Sequence, residues 1–175
     1  MTSDYSDTHP ASARMTINPG LAPDQAESIL TVAKAEAGVI DATMRSVFTV
    51  QIQGKDGEQT PLQLFTAAPD DPMRIARFKV EQGSWPPSKD GVLLERSALE
   101  FLKLKVGDNV TVTGFDGKPV QLQVTGVVHD QSLAPAYTGL QGYGYISTNS
   151  LPYLGKQPVL NQLAITVAGK AGQTE

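Results

Sequence analysis

The chain has 175 residues, a formal net charge of −4 and no cysteine. This length suits one domain of ordinary size, or two small lobes that share a core. The acidic balance argues against a nucleic-acid partner, which would select a basic surface, and the lack of cysteine excludes disulfides, thiolate metal sites and a cysteine nucleophile.

The N-terminal part of the chain predicts a polar tail followed by a helix at residues 23–37. Residues 1–20 are rich in Ser, Asp, Thr and Pro without a periodic apolar pattern, so we expect an extended or poorly ordered tail. Asp24 with Glu27 resembles a capping box, and Gly38 can take the left-handed conformation that ends a helix. Between them, the apolar side chains share one helical stripe: Ala26, Ile29, Leu30, Ala33 and Ala37.

The next segment predicts a β-hairpin and a rigid loop. Residues 39–53 alternate with the period of a half-buried strand. An Asp-Gly pair at 56–57 tolerates the positive φ angles of a tight turn, and residues 61–67 form the return strand. Trp85, the only tryptophan, follows in a Gly-Ser-Trp-Pro-Pro loop. We expect it to cover a core edge, with a ligand contact as the alternative.

The centre of the chain predicts a strand, a short helix and a second hairpin. Residues 92–94 form a short buried strand, and Ser97 with Glu100 predicts a capping box that opens the helix. An Asp-Gly turn at 116–117 joins two further strands. Gly126, inside the second of these strands, indicates a bulge that bends the sheet towards a barrel.

The C-terminal part predicts an aromatic loop and two strands. Residues 131–142 form a loop that contains Gly, Pro and Tyr, and strands follow at 143–147 and 160–167. Residues 169–175 form a polar tail. These elements indicate an α+β fold with mixed or antiparallel sheets and a few short helices, and no apolar run is long enough to cross a membrane.

The sequence offers little for catalysis. His129-Asp130 is a tempting pair, but neighbours on a strand point to opposite faces, and Ser132 lacks the surroundings of a nucleophile elbow. One histidine with Asp130 and Glu95 falls short of a zinc set, and no calcium or phosphate loop is present. We therefore expect a protein that is not an enzyme, with no catalytic, metal-binding or cofactor-binding residues.

Aromatic side chains are better candidates for function. Tyr137, Tyr143 and Tyr145 lie in and just after a Gly- and Pro-containing loop, a kind of segment that often contacts a partner or ligand. Packing of Tyr143 and Tyr145 inside the β-rich part is an equal alternative, and Tyr137 is the tyrosine expected to be exposed. With Trp85, these tyrosines are the predicted partner-binding residues.

Four segments, taken in order, resemble a known family. They are Gly-Val-Leu-Leu-Glu at 91–95, a Ser-Ala-Leu…Val-Gly-Asp-x-Val-x-Val unit at 97–112, Val-x-Gly-Val-Val-His-Asp at 124–130 and Tyr-Ile-Ser at 145–147. The series resembles the MacB-like periplasmic core domain, which is the extracytoplasmic domain of FtsX-like ABC transporter permeases. The similarity extends over about residues 19–167.

This resemblance implies a porter-like αβ lobe at about 21–82 and 140–168, and a smaller β-rich lobe at about 83–139. It implies a location at the extracytoplasmic face of the cell membrane, where the domain couples ATP-driven motion of transmembrane helices to a substrate or partner outside. The implied partners are the transmembrane helices of the same permease, its ATP-binding subunit and an extracytoplasmic protein or lipoprotein. Both chain ends should lie on one side of the fold, because both connect to the membrane.

Two other interpretations stay open at this point. One is a stand-alone extracellular binding module for a cell-wall sugar or a peptide, which would use Trp85 and the tyrosine surface. The other is a hydrolase that depends on His129.

Overall fold

A nine-stranded sheet dominates the computed structural model, which describes residues 9–168. Its strands pair both parallel and antiparallel, and three helices and a 3₁₀ turn at Thr148–Ser150 accompany them, which confirms the predicted α+β fold. The helices are α1 Pro23–Ala35, α2 Arg96–Leu102 and α3 Ala136–Gly139. The strands are β1 Ala13–Leu21, β2 Val39–Gln53, β3 Gln59–Ala67, β4 Lys79–Gln82, β5 Gly91–Glu95, β6 Asn109–Thr113, β7 Pro119–His129, β8 Gly142–Ser147 and β9 Leu160–Val167.

Six of the strands close into a barrel. β2, β3, β8, β5 and β7 are neighbours in that order, and β6 completes the ring by pairing with both β7 and β2. Since side chains alternate between the two faces of a strand, all six strands contribute inward-facing residues to one core. Its buried apolar members are Val50, Ile52, Leu62, Leu64, Val92, Leu94, Leu102, Val110, Val112, Leu122, Val124, Ile146, Leu151 and Leu154.

A bulge in β7 occurs where the sequence predicted it, at Gly126. The register against β5 passes from Val92–Val124 to Leu93–Gly126, so one β7 residue is left without a partner. Here β4 approaches so closely that a Cβ on Gly126 would lie 2.2 Å from the carbonyl oxygen of Gln82. Only glycine leaves room for the approach, and the sheet can bend at this point.

The rest of the sheet, which we call the open extension, consists of β1, β9, the first half of β2 and helix α1. β9 lies between β1 and β2, and no further strand closes this part into a ring within residues 9–168. α1 covers one face, where Ala26 packs in a small buried cluster with Met44 and Leu160. Ile29 of the predicted stripe is 41% exposed, because only a narrow face of α1 reaches the sheet.

Both predicted capping boxes need correction. α1 begins at Pro23 as predicted, but its cap is not an Asp24–Glu27 box, because the N–H of Ala22 donates to Oε1 of Gln25 over 3.1 Å. α2 begins after Glu95, whose carboxylate accepts the N–H of Ser97 over 2.7 Å. In α2 the free N–H at the helix start is therefore satisfied by the last residue of the preceding strand.

The structure also corrects the predicted N-terminal tail, because residues 13–20 belong to β1, which pairs antiparallel with β9. The strand signal is the alternation of Arg14 and Thr16 with Met15 and Ile17, which the polar composition of the region obscured. The parts of the two predicted tails at 1–8 and 169–175 lie outside the described residues.

The barrel takes β2, β3 and β8 from the first predicted lobe and β5, β6 and β7 from the second. The division into lobes therefore stays a prediction. Among residues 9–168, no helix has the length and apolar character needed to cross a bilayer.

Candidate functional site

Three of the four predicted partner-binding residues meet in one aromatic cluster. Trp85 packs edge-on against Phe78, with ring centroids 5.6 Å apart, and Phe78 lies 4.4 Å from Tyr145. Tyr145 also stacks on Phe65 at 5.2 Å, and Tyr143 lies 6.3 Å from Phe65. Tyr143 and Tyr145 are 4% and 2% exposed, so they support the cluster from within and offer almost no surface of their own. Their role in binding a partner stays a prediction.

Tyr145 is held in place by Asp130. Its hydroxyl donates to Oδ2 over 2.6 Å, and the N–H of Ser132 donates to Oδ1 of the same carboxylate over 3.0 Å. Burial, followed by the charge of Asp130 and this hydrogen bond, raises the pKa of Tyr145 well above its usual value. The phenol therefore stays protonated at neutral pH and fixes the start of the loop that follows β7.

A second polar network surrounds the buried carboxylate of Glu95. Its Oε2 accepts hydrogen bonds from the N–H and the hydroxyl of Ser97, and its Oε1 lies 3.5 Å from Nδ1 of His129. The hydroxyl oxygen of Ser97 accepts the N–H of Ala136 over 3.0 Å, and a guanidinium nitrogen of Arg96 lies 3.3 Å from Nε2 of His129. The network thus ties α2 to the end of β7 and to the start of α3.

This network does not have the order of a catalytic triad. A triad places the histidine between serine and acid, so that the imidazole can take the serine proton. Here Glu95 lies between Ser97 and His129, and Ser132 hydrogen-bonds to Asp130. No group of three or more metal-ligating side chains comes together among residues 9–168. The described geometry gives the hydrolase interpretation no support.

Tyr137 and Leu140 form an apolar tip on the loop that contains α3. They are 65% and 66% exposed, respectively. The tip is anchored by Ala136, which is buried in a cluster with Tyr143, and by the N–H of Gln141, which donates to the carbonyl oxygen of Ala136. Two apolar side chains on an anchored turn suit contact with another molecule.

A groove of about 480 Å³ crosses the sheet on the face opposite α1. Met44, on which α1 packs, is followed by Arg45, and neighbouring strand residues point to opposite faces, so Arg45 lies on the groove side. The side chains that define the groove are Arg14, Thr16, Arg45, Val47, Gln63, Phe65, Phe78, Trp85, Asp130, Leu133, Tyr145 and Gln162. The groove therefore joins the open extension to the aromatic cluster. Of these residues, only Trp85, Asp130 and Tyr145 were identified as candidates from the sequence.

Arg45 anchors one wall of the groove. Its Nε lies 3.2 Å from Oδ2 of Asp71, and its terminal nitrogens donate to the carbonyl oxygens of Ile75 and Ala76 over 2.6 and 3.0 Å. The side chains of Arg45 and Asp71 are 13% and 3% exposed, so the ion pair is largely shielded from water. The partners are 26 residues apart, and no local pattern in the sequence predicts the pair.

Residues close to the two ends of the described chain lie side by side. The N–H of Ser12 donates to the carbonyl oxygen of Ile165 over 2.8 Å, and the N–H of Val167 donates to Oγ of Ser12 over 3.2 Å. The N–H of Ala168 donates to the carbonyl oxygen of Gly38, just before β2, over 2.7 Å. Residues 12 and 167–168 therefore lie on one side of the fold, and for the chain ends themselves this stays a prediction.

Solved structures show what this architecture is similar to, whereas no protein-family model and no curated protein matches the sequence. The extracellular domain of the noncanonic ABC-type transporter YknZ from Gram-positive bacteria has a TM-score of 0.57 and 17% identity, covering 93% of this chain and 81% of that one. The periplasmic region of MacB from Actinobacillus actinomycetemcomitans has a TM-score of 0.51 and 16% identity, with 94% and 79% covered. A domain of a putative permease protein from Porphyromonas gingivalis has a TM-score of 0.52 and 14% identity, with 90% and 71% covered.

This chain has the fold of extracytoplasmic domains of ABC transporter permeases. The resemblance drawn from the four ordered sequence segments is thus confirmed at the level of the fold. Identities of 14–17% are too low to transfer a substrate, and the residues that would contact one have to be argued from this chain's own geometry.

Proposed function

We propose that this chain is the extracytoplasmic domain of an ABC transporter permease, and that it couples ATP-driven motion of transmembrane helices to a substrate or partner outside the membrane. The observation that carries the proposal is the meeting of Ser12, Val167 and Gly38 at one place. A domain inserted between two membrane spans needs this arrangement, because both connections return to the same membrane surface. Neighbouring termini are common in domains, so the shared fold is the second support.

The path for the motion would be β2. This strand of 15 residues begins beside the chain ends and finishes inside the barrel, where its last residues pair with β6. A continuous strand of this length extends over roughly 45 Å and carries displacement through hydrogen bonds on both sides. The proposed partners are the transmembrane helices of the same permease, its ATP-binding subunit through the membrane part, and an extracytoplasmic protein or lipoprotein that contacts the tip at Tyr137 and Leu140.

The extracytoplasmic location of the domain can be tested with one introduced cysteine, because this chain has none of its own. Lys118→Cys, on the exposed turn between β6 and β7, is introduced into the full-length protein in its own cells. We expect a membrane-impermeant maleimide to label the variant in intact cells, and the unchanged protein is the control. Labelling that requires lysis would overturn the proposed location.

Coupling can be tested at the tip. Tyr137→Ser combined with Leu140→Ser removes the exposed apolar side chains and leaves the anchor at Ala136 in place. We expect export or partner-dependent activity to fall about tenfold, while basal ATP hydrolysis by the purified permease complex stays near normal. Val32→Ser, which removes an exposed apolar side chain from α1, is the matched control. Full activity in the double variant would exclude the tip as the contact.

The binding-module interpretation is favoured by one observation, the groove beside Trp85. A stand-alone module would be recovered free of the membrane in the maleimide experiment, whereas a permease domain would stay in the membrane fraction. The same cells therefore distinguish the two proposals.

A further inference from the structure

The sheet floor of the groove has unused hydrogen-bonding capacity. Thr16, Gln63 and Gln162 line it, and none of the three makes a side-chain hydrogen bond to a residue between 9 and 168. A ligand that carries both donors and acceptors can satisfy these three side chains, whereas an acyl chain would leave them unpaired. The backbone of a peptide has the required chemistry.

The two ends of the groove carry opposite charge. At the β1 end, Arg14 is exposed and forms no ion pair with any residue that the structure describes, whereas the charge of Arg45 is neutralised by Asp71. At the other end, the Asp130 carboxylate lies beside Tyr145. An acidic group is therefore attracted to the β1 end and repelled from the Asp130 end.

The wall near Asp130 is apolar. Phe65 and Phe78 both pack their rings against Tyr145, and Leu133 lies next to them. These rings contact one another and form one continuous apolar wall. An apolar side chain, preferably an aromatic one, fits this surface.

The groove extends across four strand spacings, from β1 through β9, β2 and β3 to β8. At about 4.8 Å a spacing this is roughly 19 Å, the length of about six residues of extended chain. We propose that the groove binds a short extended peptide, with an acidic residue beside Arg14 and an apolar, preferably aromatic, residue beside Trp85 and Leu133. This goes beyond the proposed function and stands without it, because the domain alone is sufficient for the test.

The single tryptophan lies in the groove and serves as the reporter. The probe is a blocked hexapeptide with phenylalanine at its first position, aspartate at its last, and serine, threonine and glycine between. We expect a saturable change in Trp85 emission, matched by binding heat in calorimetry. Arg14→Gln should weaken binding about fivefold, the effect of removing one exposed charge contact. Lys118→Gln, which neutralises an exposed cation far from the groove in sequence, should bind as the unchanged protein does.

A second peptide isolates the charge contact. With asparagine at its last position, the hexapeptide should bind the unchanged protein and Arg14→Gln equally, because the partner of Arg14 is gone. Leu133→Ser should weaken the binding of both peptides. Circular dichroism checks that each variant is folded. The proposal is overturned if calorimetry detects no binding at millimolar peptide, if the aspartate and asparagine peptides bind the unchanged protein alike, or if decanoate or a chitin oligosaccharide binds more tightly than the peptide.

Discussion

The barrel and the open extension belong to one sheet but are stabilised in different ways. The barrel closes on itself around fourteen buried apolar side chains, whereas the small cluster beneath α1 has three buried members, Ala26, Met44 and Leu160, with partly buried apolar side chains around them. In compensation, the open extension uses the shielded ion pair between Arg45 and Asp71 and the edge pairing of β1 with β9. Apolar burial makes the barrel the more stable region, and local opening should begin in the extension.

The features that we connect with function are divided between the barrel and the open extension. The chain ends and two of the three polar floor residues, Thr16 and Gln162, belong to the open extension, while the aromatic wall and the apolar tip are attached to the barrel. A stable region beside a less stable one suits a domain that must be moved from one side and respond at the other. The experiments below test that contrast, and their expected effects decrease in size.

The largest loss of stability is expected in the barrel, from Leu94→Ala. Leu94 is fully buried among residues of several strands, so its removal leaves a cavity that the closed ring cannot collapse to fill. The free energy of unfolding should fall by about 4 kcal/mol in urea titrations. Met44→Ala in the open extension is the comparison and should cost about half as much, since α1 can move inwards. Equal losses would contradict the proposed difference between the two regions.

Arg45→Met should destabilise the protein by about 3 kcal/mol, because it leaves the shielded Asp71 carboxylate without its counter-charge and two backbone carbonyl oxygens without their donor. Hydrogen exchange should accelerate in residues 71–76 and in β1 and β9 before it does in the barrel. Arg74→Met is the control, because its pair with Asp41 is exposed at the arginine and should contribute no more than about 0.5 kcal/mol. Uniform acceleration throughout the sheet would show that the two regions open together.

The smallest effect on stability is expected from Tyr145→Phe, which removes the hydrogen bond to Asp130. The free energy of unfolding should fall by about 1 kcal/mol at pH 7. Because the pKa of Tyr145 is raised in the folded state, the unfolded chain loses this proton first as the pH increases. The stability linked to Tyr145 is therefore complete below about pH 10 and is lost above it. The difference between Tyr145→Phe and the unchanged protein should shrink above that pH in urea titrations. Tyr137→Phe is the matched control, and a difference that does not vary with pH would refute the linkage.

Elements specified by local patterns could be predicted from the sequence, and β2 and β9 have the predicted bounds of 39–53 and 160–167. Strict alternation and Asp-Gly turns are signals contained within a few residues. The start of α1 at Pro23 was predicted correctly, but the capping residues of α1 and α2 were wrong, because the actual acceptors, Gln25 and Glu95, were not the residues that a capping-box motif selects.

The groove could be predicted only in part. Trp85 and Tyr145 were singled out as aromatic residues, but Phe65 and Phe78, which connect them, lie in segments without a loop signal. Arg14 was assigned to a tail because the pairing of β1 depends on β9, which is almost 150 residues away along the chain. Contacts of this range depend on the register of several strands, which local patterns of a few residues do not reveal.

The antiparallel pairing of β1 with β9 has a mechanical consequence. Because the first residue of β1 and the last residue of β9 are neighbours, a pull that separates the two ends of the chain loads their shared hydrogen bonds one after another, as in a zipper, and not all at once. Tension between the ends would peel β1 from the sheet edge at low force, whereas a push that moves both ends together would leave the pair intact. In the proposed permease, the domain would therefore transmit joint displacement of its two ends and yield when they are drawn apart.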